Sequence, residues 1–256
     1  MCANICHPRQ VSDSLMGLAV GAEIFRRLVA RPSRKYSYRL LVVPETIGSI
    51  VYMWRHPEFM ARCMGGFFSE MLGIDGPMVL QATRRGDTYW DHVSRLAMAE
   101  SGCPWKGVPF MQSVSNDKNC LDAPSVNTPM FSNTRYPYPE YHSHDDNVSL
   151  INLDRMRDSR DVLQQAIDLA ESDYVPVLRQ TGPVFLSGHG LMPPRDDKYA
   201  SRIAAFYDVI YSPSGRLSVV QTARDLARPV ADVRYWTDAF ADMGLLDKRP
   251  FVLERS

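Results

Sequence analysis

Histidine and acidic side chains occur where short apolar runs of this chain end, and these residue types bind metal ions or transfer protons. His7 and Asp13 follow the opening run MCANIC and precede a helical pattern. Imidazole and carboxylate groups are ligands suited to zinc. In the alternative interpretation, His7 is an ordinary loop residue and Asp13 only caps the helix that follows.

Two glutamates lie beside patterns typical of buried strands. Glu45 directly follows the apolar run at 38–43, and a carboxylate beside apolar walls has a pKa raised toward the range of a general base. Glu45 could equally be a helix-start residue that the helix dipole stabilises. Glu70 lies inside the run FFSEML, where a carboxylate is costly unless it is paired or binds a metal.

The segment 140–147, EYHSHDDN, combines imidazoles and carboxylates ahead of a helical pattern. His142 or His144 could bind a metal, while a polar residue at 145–147 could cap the helix. Taken alone, the segment could also be a solvated capping loop. Asp117, in SNDKN, is a weaker candidate.

Alternating helices and strands must position these side chains. Helical patterns at 15–31, 47–53, 88–99 and 153–172 alternate with short apolar runs typical of strands covered on both faces. This order predicts an α/β fold with a mostly parallel sheet flanked by helices. Open α/β sheets place their ligands at strand ends, where the candidate residues lie. The first helix is predicted to bury one face, formed by Leu15, Leu18, Ala19, Ala22, Phe25, Leu28 and Val29.

The remaining segments predict a long loop and a second domain. Residues 101–141 are rich in proline, asparagine, serine and aromatic residues, show no helical period, and are expected to line the substrate pocket. Residues 182–197 read as a linker. Three short helical patterns and an alternating tail then predict a winged-helix domain. The predicted domains are therefore an α/β domain at 1–195 and a winged helix at 196–256.

Composition excludes several classes of protein. The 256 residues include 29 Lys and Arg against 29 Asp and Glu, so no global field attracts nucleic acid or anionic lipid. The apolar runs are shorter than the roughly 18–20 residues of a membrane span, and the start lacks a signal-peptide layout. The five cysteines include no CxxC pair, which indicates reduced thiols in a cytoplasmic protein.

The third helical pattern of the predicted winged helix argues against contact with DNA. It carries Arg234, but three aspartates accompany this cation where phosphate recognition needs positive charge. Its aromatic residues Tyr235, Trp236 and Phe240 favour packing against another domain or subunit instead.

Several motifs, in order, resemble the zinc-dependent bacterial leucyl aminopeptidase and glutaminyl cyclase superfamily. HPRQVSDSLMG resembles its HP-x4-D-N-x-x-G segment, and VVPETIGSI resembles its PETIGS strand end. SNDKNCLDAPSVNTP and PEYHSHDDN are similar to two further segments, GPVFLSGHGLMP matches a linker, and a terminal winged helix is also a feature of the group. The resemblance spans about residues 4–250.

The resemblance implies a role for each candidate residue. It implies zinc ligands at His7, Asp13 and His142, a further acidic ligand at Glu70, a general base at Glu45, an Asp that holds this base at Asp117, and a structural Asp at Asp146. Thr46 replaces the second Glu of the family's Glu-Glu motif, Lys118 stands where many relatives have Glu, and Ser14 replaces the usual Asn. One firmly held zinc is therefore expected, with a second uncertain.

The sequence is compatible with three functions. The first is a zinc hydrolase that cleaves an amide at the amino end of a small peptide or aminoacyl compound. The second keeps the zinc site for intramolecular acyl transfer, cyclisation or metabolite tailoring. The third is a degenerate scaffold whose winged helix binds protein.

Association with another chain is also expected. Relatives carry a substantial region ahead of the HP motif, whereas six residues precede His7 here. The MCANIC strand would then present an exposed edge, which favours a homo-oligomer or a partner chain.

Overall fold

In the computed structural model, which describes residues 1–182, 186–190 and 200–253, a six-stranded sheet lies at the centre of the first unit. Its strands are β1 (Cys2–Asn4), β2 (Leu41–Val43), β3 (Gly66–Ser69), β4 (Met78–Gln81), β5 (Trp105–Val108) and β6 (Met130–Thr134). Their order is β2-β1-β3-β6-β4-β5. Only the pair β4 and β6 is antiparallel, so the sheet is mostly parallel, as predicted.

Helices connect these strands within the first unit, which comprises residues 1–171 and Leu253. They are α1 (Gly17–Val29), α2 (Ile47–Arg55), α3 (Pro57–Arg62), α4 (Tyr89–Glu100), α5 (Asp117–Leu121) and α6 (Leu153–Ser172). Thr88 and Asp91 form a reciprocal capping box at the start of α4, which explains its sharp boundary. Among the described residues, no helix has both the length and the apolar character needed to cross a membrane.

The buried face of α1 matches the predicted one only in part. Leu28 is buried as predicted, whereas Leu15 and Val29 are exposed. The rest of the buried face is formed by Val20, Gly21 and Ile24. The reason is a close approach of α1 to β3, since a Cβ on Gly17 would lie 2.0 Å from the carbonyl oxygen of Ser69. Glycine therefore determines which face of the helix meets the sheet.

The segment 101–141 is not the irregular loop that was expected. It contains β5, α5 and the central strand β6, whose five residues are all buried. Ser132, Asn133 and Thr134 give β6 a polar sequence, so no apolar run indicated a buried strand. The prediction was wrong here because a strand enclosed by neighbours can bury polar side chains.

The strand β1 is not an edge of the sheet. It pairs with β2 on one side and with β3 on the other. Among the described strands, β2 and β5 are the edges instead. The premise of an exposed β1 edge was therefore wrong, because crossover connections place later strands on both sides of the first one.

The second unit comprises the described part of residues 172–252. Strands β7 (Tyr174–Leu178) and β8 (Leu246–Pro250) pair antiparallel and accompany α7 (Ala200–Ile210), α8 (Val219–Asp225) and α9 (Val230–Asp242). The predicted boundary at 195/196, and most of the predicted linker, lie outside the described residues. The winged-helix assignment stays a prediction.

The aromatic residues of α9 mostly pack inside the second unit. Trp236 and Phe240 are buried, and the ring of Trp236 lies 4.6 Å from that of Phe206. Val233, Trp236 and Phe240 recur at helical spacing, which places them on one buried face. The exposed patch expected from these aromatics is therefore reduced to Tyr235, which is 46% exposed.

Candidate metal centre

The candidate residues meet at the carboxyl ends of the parallel strands in the first unit's sheet. His7 follows β1, Glu45 follows β2, Glu70 directly follows β3, and His142 lies beyond β6. These four strands run in the same direction, so their carboxyl ends lie at the same edge. The strand directions thus bring together residues that are far apart in the sequence.

Asp13 lies between two imidazoles. Its Oδ2 atom is 3.0 Å from Nε2 of His142 and 3.8 Å from Nε2 of His7. Burial raises the pKa of the Asp13 carboxyl, and the two imidazoles oppose this rise. The separations bracket the value of about 3.4 Å expected between neighbouring ligands of a tetrahedral zinc with bonds of about 2.1 Å. The three side chains therefore fit a zinc ion in donor chemistry and in spacing.

Asp146 holds the turn that carries Asp13. Its carboxylate is buried and accepts the backbone N–H groups of Val11, Ser12 and Asp13 at 2.8–3.2 Å. The hydroxyl of Tyr138 donates to the same carboxylate at 2.7 Å. Four donors directed at one side chain fix the irregular turn Val11–Met16, and so fix Asp13 ahead of α1.

Tyr141 supports the ring of His142. The two rings are stacked, with centroids 3.9 Å apart and an angle of 18° between their planes. Sequence reasoning missed Tyr138 and Tyr141, although the tyrosine-rich run YPYPEY directly precedes His142. His144, the alternative ligand, is 93% exposed and pairs with Asp145.

Four of the eight non-glycine residues with positive φ in the described part of the chain lie at these same positions. Non-glycine residues with positive φ occur at or directly after Asp13, Glu45, Glu70 and His142, namely Ser14 (134°), Thr46 (61°), Met71 (52°) and His142 itself (56°). Such conformations cost of order 1–3 kcal/mol each and persist where surrounding structure over-determines them. Their clustering supports a functional interpretation of this edge.

Glu45 lies beside the imidazole of His7. Its Oε2 atom is 3.5 Å from Nε2 of His7, and the Glu45 backbone N–H donates to the sulfur of Cys6 at 3.1 Å. Burial raises the pKa of the Glu45 carboxyl, His7 opposes the rise, and Asp117 and Asp13 add to it. A partly exposed carboxylate with a raised pKa suits proton transfer.

Asp117 contacts the Glu45 turn through the backbone. Its Oδ1 atom accepts the N–H of Thr46 at 2.9 Å. Burial raises the pKa of Asp117, and hydrogen bonds from Ser49 and Thr46 oppose the rise. The resemblance implied that Asp117 holds Glu45, whereas the hydrogen bond in the structure holds Thr46, the residue after Glu45.

Glu70 is buried next to the centre but outside its tightest group. Its Oε1 atom accepts the side-chain N–H of Asn116 at 2.7 Å. Burial raises the pKa of Glu70 well above its ordinary value, and the charge of Asp13 adds to this rise. Within the described chain, two groups of at least three His, Cys, Asp or Glu residues have ligand atoms that all lie within 4.8 Å of one another: His7 with Asp13 and His142, and Cys6 with His7 and Glu45.

Comparisons with known proteins agree with the fold. A family model described as "Domain of unknown function (DUF4910)" matches residues 1–173. A curated Clostridium acetobutylicum protein, named "Putative polysaccharide biosynthesis protein with aminopeptidase-like domain", is 26% identical over 94% of this chain. The chain spans 56% of that relative, about half of its length.

Two solved structures share the architecture. One, described as a "putative peptidase" from Clostridium acetobutylicum, is 24% identical, with a TM-score of 0.84 over 96% of this chain and 56% of its own. The other is a zinc aminopeptidase from Bacillus subtilis, 20% identical, with a TM-score of 0.55 over 66% of this chain and 45% of its own. At these identities the likeness establishes the fold.

Proposed function

The chain belongs to the DUF4910 family, and we propose that its first unit is a zinc-dependent amide hydrolase acting at the amino end of a small peptide or aminoacyl compound. The observation that carries the proposal is the placement of Asp13 between His7 and His142, with Glu45 3.5 Å from His7. The zinc aminopeptidase fold of a solved neighbour supports it.

His7, Asp13 and His142 would hold the zinc, and Glu70 is the proposed fourth ligand. A bound zinc ion lowers the pKa of water to about 7 and polarises a substrate carbonyl. A cation here would also offset the cost of burying Glu70, whose pKa is raised by burial. Thr46 supplies no carboxylate, which favours one firmly held ion.

Glu45 would move the proton. Its Oε2 atom accepts a proton from the attacking water and delivers it to the leaving amine. Asp117 contributes by holding the N–H of Thr46, which fixes the turn that directs Glu45 toward His7. Asp146 contributes by holding the backbone beneath Asp13.

A second substrate class follows from the name of the curated relative. That name refers to polysaccharide biosynthesis, so an amide on a sugar compound is the second candidate for the same chemistry. Intramolecular acyl transfer would use the same residues. Labelled water distinguishes these reactions, because only hydrolysis places oxygen from water in the product.

The proposal is tested with Glu45→Gln, which is close to isosteric but cannot accept a proton. With a panel of aminoacyl anilides and N-acyl amino sugars, we expect the rate to fall at least ~10²-fold. The zinc content should stay at the level of the unmodified protein. Glu58→Gln, an exposed carboxylate on α3, is the matched control and should leave both unchanged.

Near-normal turnover of Glu45→Gln would contradict the assignment of the base. An unmodified protein that binds no zinc and turns over neither class would instead favour the scaffold hypothesis, with protein binding by the second unit.

A further inference from the structure

Cys6 lies against the metal centre and has no role in the reaction proposed above. Its sulfur is 3.6 Å from Nδ1 of His7 and accepts the backbone N–H of Glu45 at 3.1 Å. Cys6, His7 and Glu45 each offer a ligand atom, and these atoms all lie within 4.8 Å of one another. A thiol, an imidazole and a carboxylate thus converge beside the first group of ligand atoms, formed by His7, Asp13 and His142 and called the Asp13 group below.

These three donors have the chemistry of a zinc site. A thiolate is a soft ligand that selects zinc-class ions over magnesium or calcium, and imidazole and carboxylate complete a set common for zinc. The N–H of Glu45 directs a hydrogen bond at the sulfur, the kind of outer contact that orients a metal ligand. The sulfur is therefore positioned before any ion binds.

We propose that Cys6, His7 and Glu45 form a second, thiolate-containing position for a zinc-class divalent cation, and that an ion bound there inhibits the enzyme. A neutral imidazole has one unprotonated nitrogen, so His7 serves one group at a time. An ion in the Cys6 position engages His7 and the carboxylate of Glu45, which then cannot accept a proton. Binding releases the thiol proton of Cys6 to solvent.

The inhibition rests on the proposed function, because it requires Glu45 to be the base. The binding position does not, since it depends only on three ligand atoms and their spacing. Binding and inhibition are therefore measured separately.

Binding is tested by titrating the metal-free full chain with Co²⁺. A thiolate ligand produces an intense sulfur-to-cobalt charge-transfer absorption in the near ultraviolet, and we expect this band in the unmodified protein. Cys6→Ser should abolish the band, with Cys6→Ala as a second variant should the serine protein misfold. Cys103→Ser, a thiol outside both ligand groups, should retain it. His142→Ala should also retain it, because it disables only the Asp13 group.

Inhibition is tested by comparing hydrolysis at one equivalent and at excess Zn²⁺. The unmodified protein should lose at least ~10-fold of its rate at excess zinc, and Cys6→Ser should lose less. A missing band, or a band that survives Cys6→Ser, overturns the metal position. A Cys6-dependent band in a protein without hydrolase activity overturns the proposed function alone. Equal inhibition of both proteins overturns the inhibitory role.

Discussion

At the scale of single residues, the candidate centre depends on neighbours outside the proposed ligand set. His142 adopts φ 56°, and the stacked ring of Tyr141 and the carboxylate of Asp13 hold it there. Asp146 holds Asp13 in the same way, through backbone N–H groups. The positions of the proposed ligands therefore depend on contacts with residues outside the ligand set, which hold His142 and Asp13 in place.

His142→Ala tests the assignment of the Asp13 group as the zinc site. Made in a Cys6→Ser background, so that the second position does not contribute, it should weaken zinc binding at least ~10-fold while the circular dichroism of the fold is retained. His144→Ala, which removes an exposed imidazole two residues away, should leave the affinity unchanged. Undiminished zinc occupancy in the His142 variant would refute the ligand set.

Lys118 makes the free energy of unfolding depend on pH in the alkaline range. The side chain of Lys118 is buried. Its ammonium donates to the carbonyl of Ala82 and lies 4.2 Å from the ring centre of Phe110. Burial lowers the pKa of Lys118 to about 8 from 10.5, against the opposing charges of Asp122 and Asp91. Between these values the unfolded chain binds more protons, so the free energy of unfolding rises with pH across this window.

Lys118→Met isolates this contribution. Relative to the variant, the unmodified protein should gain stability on the order of 2–3 kcal/mol between pH 7 and pH 11, measured by urea unfolding. Buried tyrosines act on both proteins alike and cancel in the difference. Parallel pH profiles for the two proteins would show that the ammonium is not desolvated.

At the scale of elements, the approach of α1 to β3 links the core to the centre. A Cβ at position 17 would lie 2.0 Å from the carbonyl oxygen of Ser69, whereas one at position 21 would lie 3.3 Å from a side-chain atom of Leu40. Backbone cannot yield as a flexible side chain can. Since α1 directly follows the turn that carries Asp13, its position affects the centre.

Gly17→Ala should therefore destabilise the fold by at least about 1–3 kcal/mol, the usual cost of overpacking, and should also weaken zinc binding. Gly21→Ala is the matched control, and we expect it to be neutral or slightly stabilising because alanine favours helix. Urea unfolding and zinc titration measure both effects. Equal stabilities of the two variants would contradict the close contact.

At the scale of the whole molecule, α2 presents an exposed apolar stripe. Ile47, Ile50, Val51 and Trp54 are 48–77% exposed and recur at helical spacing. The helix follows β2, an edge of the sheet among the described strands. Exposed apolar patches and open edges favour association, which supports the expectation of self-association on this surface rather than along β1.

Light scattering on the purified chain tests this expectation. We expect a mass of at least twice 29.0 kDa at micromolar concentration, and a shift toward the single chain in Trp54→Glu. Arg55→Glu, at the end of the same helix, controls for added charge. A single 29.0 kDa species for the unmodified protein would contradict self-association.

The sequence by itself determined the α/β class and the identity of the candidate residues. Short apolar runs and helical periodicity mark burial, so the strands β1 to β4 and the helix Leu153–Ser172 were predictable, although the periodicity of α1 predicted only part of its buried face. The candidate residues could be selected from the sequence because histidines and carboxylates at strand ends are costly or idle unless they meet a ligand. The resemblance to a zinc superfamily added their order.

Only the tertiary structure decided which of these residues meet, and what holds them. The polar strand β6 had no sequence signal, because its burial comes from the neighbouring strands β3 and β4. The stacking of Tyr141, the four donors on Asp146 and the position of the Cys6 sulfur are likewise long-range or strained contacts. Local periodicity reports how much of a residue is buried, and chain topology determines against what it is buried.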